Sequence, residues 1–366
     1  MVRNKFLFIV ILLITLSVFP VYSANLSIPD LEINTRGQIE NGSLVLSTLG
    51  NINFLIEGGY KFGGRIGLDF SGSSLDNIDT DNFLRFRSLS IIIREIFSLP
   101  INFSYFVGQM DPYLSGSLFP ELFGTEPITS RFRGLMYFGD GIQYDGIHSI
   151  AGSGIELSTT TLANHFYGSL SLYQDGYLNP GEFSADLRAA INFPVFKLEA
   201  FAGASYPQGN WGVYRGGLLL YYSTGIGGEF FTQIGIPRWD PYTDPFNMDL
   251  FYFMFEPRVR INILSIILTV FVHPSYYLQE ATNEEGSIDV NVNFLFGAGP
   301  ESTAEGGIEA GLSYLTDETE MLNIRVSPYF SFVGAGVFWD FKINSQLYPF
   351  SIGSLFEFFV GIRSGF

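Results

Sequence analysis

The feature that most constrains this chain is an alternation with a period of two that runs to its last residue. In 355–366, LFEFFVGIRSGF, residues Phe356, Phe358, Val360, Ile362 and Phe366 share one face, with Ser364 its only polar member. Glu357, Gly361, Arg363 and Gly365 share the other with Leu355 and Phe359. That is a strand with one apolar and one mostly polar face. Chain ends ordinarily fray. A closed barrel has a reason to keep its end in register, because its last strand must pair with its first to leave no edge.

The same alternation recurs along most of the chain. In 182–193, Glu182, Ser184, Asp186, Arg188 and Asn192 oppose Phe183, Ala185, Leu187, Ile191 and Phe193. In 287–296, Asp289, Asn291 and Asn293 oppose Ile288, Val290, Val292 and Phe294. The chain holds 38 Phe and 20 Tyr, yet past its N-terminus no apolar run is long enough for a helical span; even 261–272 is broken by Asn262, Ser265 and Thr269. Apolar residues dispersed in this way suit transmembrane strands, which need only about ten residues each. Two places are irregular. In 83–97, Arg85 and Arg87 share a face with Leu89, Ile91 and Ile93, which a bulge or an apolar lumen patch would explain. Pro257 interrupts 250–262 and suggests a local bulge. Gly63-Gly64 reads as a hairpin turn.

In its terminal Phe366, preceded at alternate positions by Phe358, Val360 and Ile362, the chain resembles bacterial outer-membrane β-barrel proteins, whose final strand typically ends in Phe and is read by the barrel-assembly machinery. Ser364 departs from that signature, which usually has a hydrophobic residue there. The resemblance implies a bacterial outer-membrane location, contact with outer-membrane lipid, and Phe358, Val360, Ile362 and Phe366 as the assembly signal. The expected fold is all-β: a closed antiparallel transmembrane β-barrel of about 16 to 18 strands, with 14 also open. The length resembles that of the 16-stranded general porins. Short connections (62–64, 98–100, 163–165, 194–195, 224–225, 333–336) alternate with longer polar ones (75–82, 177–181, 238–249, 274–286, 316–320). Such barrels place short turns in the periplasm and long loops outside.

Residues 1–23 have the form of a secretory leader. Arg3 and Lys5 precede the apolar run 6–19, and cleavage is expected after Ser23, which makes 24–366 the barrel domain. Little sequence separates that site from the first strand, so no N-terminal plug or passenger is expected. The chain has no Cys, which excludes disulfides, thiolate metal sites and lipid attachment at a cysteine. Net charge is −17, and removal of Arg3 and Lys5 with the leader makes it −19; that balance argues against a nucleic-acid partner.

The longest irregular stretch is 112–151, and a loop of that length is usually functional. In general porins one long loop folds into the barrel and sets carboxylates against a basic wall. By that resemblance Glu121, Glu126, Asp140 and Asp145 supply the carboxylates. Arg258 and Arg260, with Arg85, Arg87 and Arg188, supply the wall. An extracellular flap, or two further strands at 134–138 and 141–148, stay open as readings. Charges such as Asp186 and Arg188, or Asp340 and Lys342, equally pair with neighbours across strands.

The function expected is a porin-like channel for passive diffusion of small hydrophilic solutes or ions, weakly cation-preferring. The alternatives are a substrate-specific outer-membrane transporter and a non-conducting surface barrel that binds a partner through its loops. Analogy with general porins adds a homotrimer. No enzyme, metal or cofactor is expected. His148, His165 and His273 form no recognisable constellation. The acidic clusters Asp76, Asp79, Asp81 and Asp317, Glu318, Glu320 lack the EF-hand glycine.

Overall fold

The computed structural model describes residues 25–40, 42–72, 82–129, 146–160, 165–206, 212–277, 280–282, 285–297, 302–315, 322–350 and 356–365. The leader 1–23, Phe366, Asp140, Asp145, the clusters at 76–81 and 317–320, and most of the two extra strands expected at 134–148 lie outside these residues.

The first half of the barrel comprises β1 (Asn25–Glu40), β2 (Ser43–Gly58), β3 (Phe62–Gly72), β4 (Asn82–Ile93), β5 (Ile101–Gln109), β6 (Ala151–Thr159), β7 (Phe166–Asp175), β8 (Phe183–Asn192) and β9 (Phe196–Tyr206). The second half comprises β10 (Val213–Ser223), β11 (Gly228–Trp239), β12 (Tyr252–Ile261), β13 (Leu264–Val272), β16 (Ile288–Phe296), β17 (Ala304–Tyr314), β18 (Leu322–Gly334), β19 (Val337–Tyr348) and β20 (Phe356–Gly365). A two-residue pair, β14 (Tyr276–Tyr277) with β15 (Glu280–Ala281), forms a separate small hairpin between β13 and β16.

Each barrel strand pairs antiparallel with its sequence neighbours, and β20 closes the ring on β1 from Asp30↔Gly365 to Gln38↔Glu357. The sheet is 18-stranded. That corrects the expected range, in which 14 strands stood open and length alone drew the count toward 16. Chain length is a poor guide because strand length varies, from 9 residues in β5 to 16 in β1, and most connections are short.

The two faces separate as the alternation predicts. In β8, Ser184, Asp186, Arg188 and Ala190 are buried while Phe183 and Leu187 are exposed. In β20, Phe356, Phe358 and Val360 are exposed while Phe359 and Gly361 are buried. A closed ring that presents apolar side chains outward and polar ones inward is stable only with hydrocarbon around it. Both described ends of the chain, and the short connections 59–61, 193–195, 262–263 and 335–336, lie at one rim. The long connections 110–150, 240–251 and 273–287 lie at the other.

Three local expectations are settled by the register. The irregularity in β4 is a bulge: Gly67 faces Ser88 but Leu68 faces Phe86, so Arg87 is the extra residue. Its carbonyl is pushed toward β5, where Gly108 has φ 99° and an added Cβ would stand 2.0 Å from that oxygen. Pro257 makes no bulge, because β12 keeps one register against β13 on both sides of it; Pro257 sits on the outward face, opposite Phe230. The turn expected at Gly63-Gly64 comes earlier, at 59–61 with Gly59 at φ 70°, and both glycines lie inside β3.

Candidate functional site

The candidate site is the polar inward face together with the connection between β5 and β6. The two arms of that connection pair with each other as they leave the wall. Met110 N–H donates to the Ile150 carbonyl at 2.9 Å, Tyr113 N–H to His148 O at 2.7 Å, and Ile147 N–H to Tyr113 O at 2.9 Å. Leu114, at φ 59°, then turns the chain. Its N–H donates to Glu199 Oε1 on β9 at 2.9 Å, and its carbonyl accepts from Gln233 Nε2 on β11 at 2.5 Å. Tyr252 Oη donates to the same Gln233 side chain at 2.6 Å. The wall makes room here. Gly217 and Gly235 are register partners on β10 and β11, and a Cβ on either would meet Leu114 or Ile147 at 2.9 or 3.0 Å.

Beyond the turn, α1 (Leu118–Phe123) packs Phe119 against Tyr221 of β10, with ring centroids 6.1 Å apart. Gly124 ends the helix in the left-handed conformation. Glu121, on α1, lies 3.6 Å from Arg65 of β3, an exposed pair. Ile128 N–H returns to Glu229 Oε2 on β11 at 2.8 Å. Glu126 is exposed. The connection thus touches the inward face at β9–β11 and, through Glu121, a strand far around the ring.

The buried wall arginines Arg188, Arg215 and Arg258 are held in ion pairs. Arg188 donates through Nε to Glu199 at 2.7 Å and lies 4.7 Å from the centre of the Tyr113 ring. Arg258 donates to Glu256 at 2.7 Å and covers Phe231. Arg215 forks onto Asp186 at 2.7 and 2.9 Å and also donates to Tyr173 Oη at 2.9 Å. Those two strands, β8 and β10, are not neighbours. Gly203 on β9 lies between them in register with both, and a Cβ there would stand 1.8 Å from Asp186 Oδ1. Across the β1–β20 closure Arg36 donates to Glu357; beside it Arg363 of β20 donates to Asp340 of β19 at 2.6 Å, and Lys342 of β19 to Glu309 of β17 at 2.6 Å.

The expected site residues therefore divide. Arg188 and Arg258 are buried in ion pairs on the half of the wall that the connection covers. Arg260 donates to Ser265 at 3.3 Å. Arg87 binds Asp69 at 3.3 Å and Asn53 on the far side of the ring, and Arg85 stands opposite Asp69. None of these arginines is the partner of Glu121; that is Arg65. Reasoning from sequence also missed Glu199, Gln233 and Glu229 as supports of the connection. Nothing local marks them beyond their inward phase. Two scattered histidines prove to have carboxylate partners, His148 with Asp186 at 3.4 Å and His273 with Asp289, both as buried struts.

No protein-family model and no curated protein sequence matches the chain. Solved structures do match its fold. Wzi of Escherichia coli, an outer-membrane protein of group 1 capsule assembly described as a carbohydrate-binding β-barrel, aligns with TM-score 0.58 at 10% identity over 98% of this chain and 88% of that one. OccK8 (OprE) of Pseudomonas aeruginosa aligns with TM-score 0.54 at 9% identity over 94% and 98%. OccK1 (OpdK) of the same organism aligns with TM-score 0.53 at 9% identity over 94% and 99%. At such identities the likeness is one of fold. Together with the apolar outer face and polar lumen, it defines the chain as a bacterial outer-membrane β-barrel of porin-like architecture.

Proposed function

We propose that this barrel is a channel for passive diffusion of small hydrophilic solutes, narrowed by the 110–150 connection and weakly cation-preferring. The observation that carries this reading is the pair of hydrogen bonds between Leu114 and the wall, to Glu199 and from Gln233, inside a ring of eighteen strands. A barrel of that size encloses an aqueous lumen unless something fills it, and a connection bonded by its backbone to the inward face sets how much of the lumen remains. Asp111, Glu121 and Glu126 are its described exposed carboxylates. Under the same reading the mature chain begins at Ala24. The assembly machinery reads Phe358, Val360, Ile362 and Phe366, and trimerisation follows only by analogy with general porins.

Planar-bilayer recording tests it. Wild-type protein is expected to conduct. Gln233→Ala, which removes the hydrogen bond from the wall to the Leu114 carbonyl, should raise the conductance. Folded protein without conductance would overturn the channel and favour a second reading, a surface barrel that binds carbohydrate. Two observations support that second reading: the carbohydrate-binding description of Wzi, and the complete burial of Leu114, Ile147 and Ile150 against the wall.

A further inference from the structure

The connection between β11 and β12, residues 240–251, buries Leu250 but leaves Tyr242, Phe246 and Met248 exposed. The register of β10 on β11 shifts so that Tyr214 faces Trp239 while Gly216 faces Ile236. Opposed residues of an antiparallel pair point to the same side. Tyr214 is exposed between the buried Val213 and Arg215, and Arg215 belongs to the inward ion pairs. Tyr214 and Trp239 therefore both point outward. Their rings lie 6.3 Å apart, Phe246 stands edge-on to Trp239 at 5.4 Å, and Phe251 meets Phe246 at 5.7 Å. This ridge continues, over the rim, the outward face that Phe253 and Phe255 present on β12.

At the tip of the connection Tyr242, Phe246 and Met248 are 75%, 62% and 78% exposed. Internal hydrogen bonds hold the segment in shape. Asp244 N–H donates to the Asp240 carbonyl at 2.8 Å, Tyr242 N–H to Asp240 Oδ1 at 2.9 Å, and Asp240 N–H to Asp244 Oδ2 at 3.2 Å. Trp239 Nε1–H donates to the Asp244 carbonyl at 3.1 Å. The polar groups are thus turned onto one another and the indole donor is satisfied within the loop. Its ring can enter an apolar medium without the cost of an unpaired N–H. Large apolar side chains held outward at a barrel rim match the aromatic girdle at a membrane interface.

We propose that 240–251 is a membrane-interface anchor whose Tyr242, Phe246 and Met248 insert into lipid at the acyl–headgroup boundary of the loop-bearing side. Continuity with the lipid-facing surface of β10–β12 selects lipid over a second copy of the chain. The proposal stands on the outer face alone and is independent of whether the lumen conducts.

The chain has no Cys, so a single introduced thiol reports one position. Full-length protein refolded into phosphatidylcholine vesicles would carry Met248→Cys or Phe246→Cys, labelled with an environment-sensitive dye, with Glu126→Cys, exposed on the connection that packs on the inward face, as the aqueous control. Tyr242→Cys replaces either variant if it fails the gel-mobility test of folding. At 246 and 248 the dye is expected to emit to the blue of the control, to lose emission to nitroxide-bearing lipid, and to be shielded from iodide. Equal quenching by iodide at all three positions would overturn the proposal. So would shielding from both quenchers together with disulfide-linked dimers of unlabelled Met248→Cys, which would assign the ridge to contact between copies.

Discussion

At the scale of single residues, Glu199 and His148 decide how the internal connection is held. Glu199 is fully buried, neutralises Arg188, and accepts from the Leu114 N–H. Glu199→Gln keeps an acceptor for Leu114 but strands the buried guanidinium of Arg188, at a cost of about 3–5 kcal/mol. The measurement is the heat-induced shift of gel mobility, and an unchanged transition temperature would count against a buried pair. His148 stacks on Phe201 at 5.8 Å and faces Asp186 of β8, Arg215 of β10 and Asp175 of β7. Burial, and after it the charge of Arg215, holds its imidazole below the ordinary 6.5. Once displaced, the ring returns to that ordinary value and takes a proton that the docked ring refuses. Docking therefore keeps its full stability above about pH 6.5 and loses it as pH falls from there to the lowered value, at up to about 1.4 kcal/mol per pH unit. Limited proteolysis of the 110–150 connection in vesicle-embedded protein should quicken on acidification, and His148→Gln should remove the dependence. Arg188 was legible from sequence as an inward charge; its partner was not, since Glu199 reaches it through the register of β8 on β9.

At the scale of elements, the period of two located the strands because hydrocarbon and lumen impose opposite chemistry on successive residues. It gave way where backbone geometry rather than side-chain chemistry decides. The bulge in β4 is the clearest case. A strict period of two puts Arg85 and Arg87 on a face with Leu89 and Ile91, but the extra residue inverts the phase, so Leu84, Phe86 and Ile91 all point outward. The signal that could have found it lies in the neighbouring strand, in Gly108, the only residue type that accepts both φ 99° and the approach of the Arg87 carbonyl. Gly108→Ala is accordingly expected to cost about 1–3 kcal/mol from backbone strain alone, with the clash adding to it. Urea unfolding in lipid vesicles measures this, and a loss below about 0.5 kcal/mol would mean that the bulge is not where the register puts it.

At the scale of the whole molecule, ring closure was written in the terminal strand, whereas the contents of the ring were not. Leu114 meets Glu199 and Gln233 across 85 and 119 residues of sequence, a separation at which no local pattern survives. The same long-range pairing bears on ionic preference. A ring of unpaired inward guanidinium groups would favour anions. Instead the buried wall arginines Arg188, Arg215 and Arg258 each sit on a carboxylate, as does the half-buried Arg363. With those charges cancelled, the sign passes to the excess of carboxylates, −17 for the chain and −19 without Arg3 and Lys5. Within the connection it passes to Asp111, Glu126 and Glu121, the last in an exposed pair with Arg65 that is screened by solvent. Negative charge beside a narrow aqueous path raises the local cation concentration. The reversal potential across a KCl gradient should therefore show weak cation preference. The double variant Glu121→Gln, Glu126→Gln should bring it toward zero, and more strongly at low salt, where exposed charges act over longer distances. An anion-selective wild type would refute the preference itself. Unchanged selectivity in the double variant would instead transfer its source from the connection to the wall.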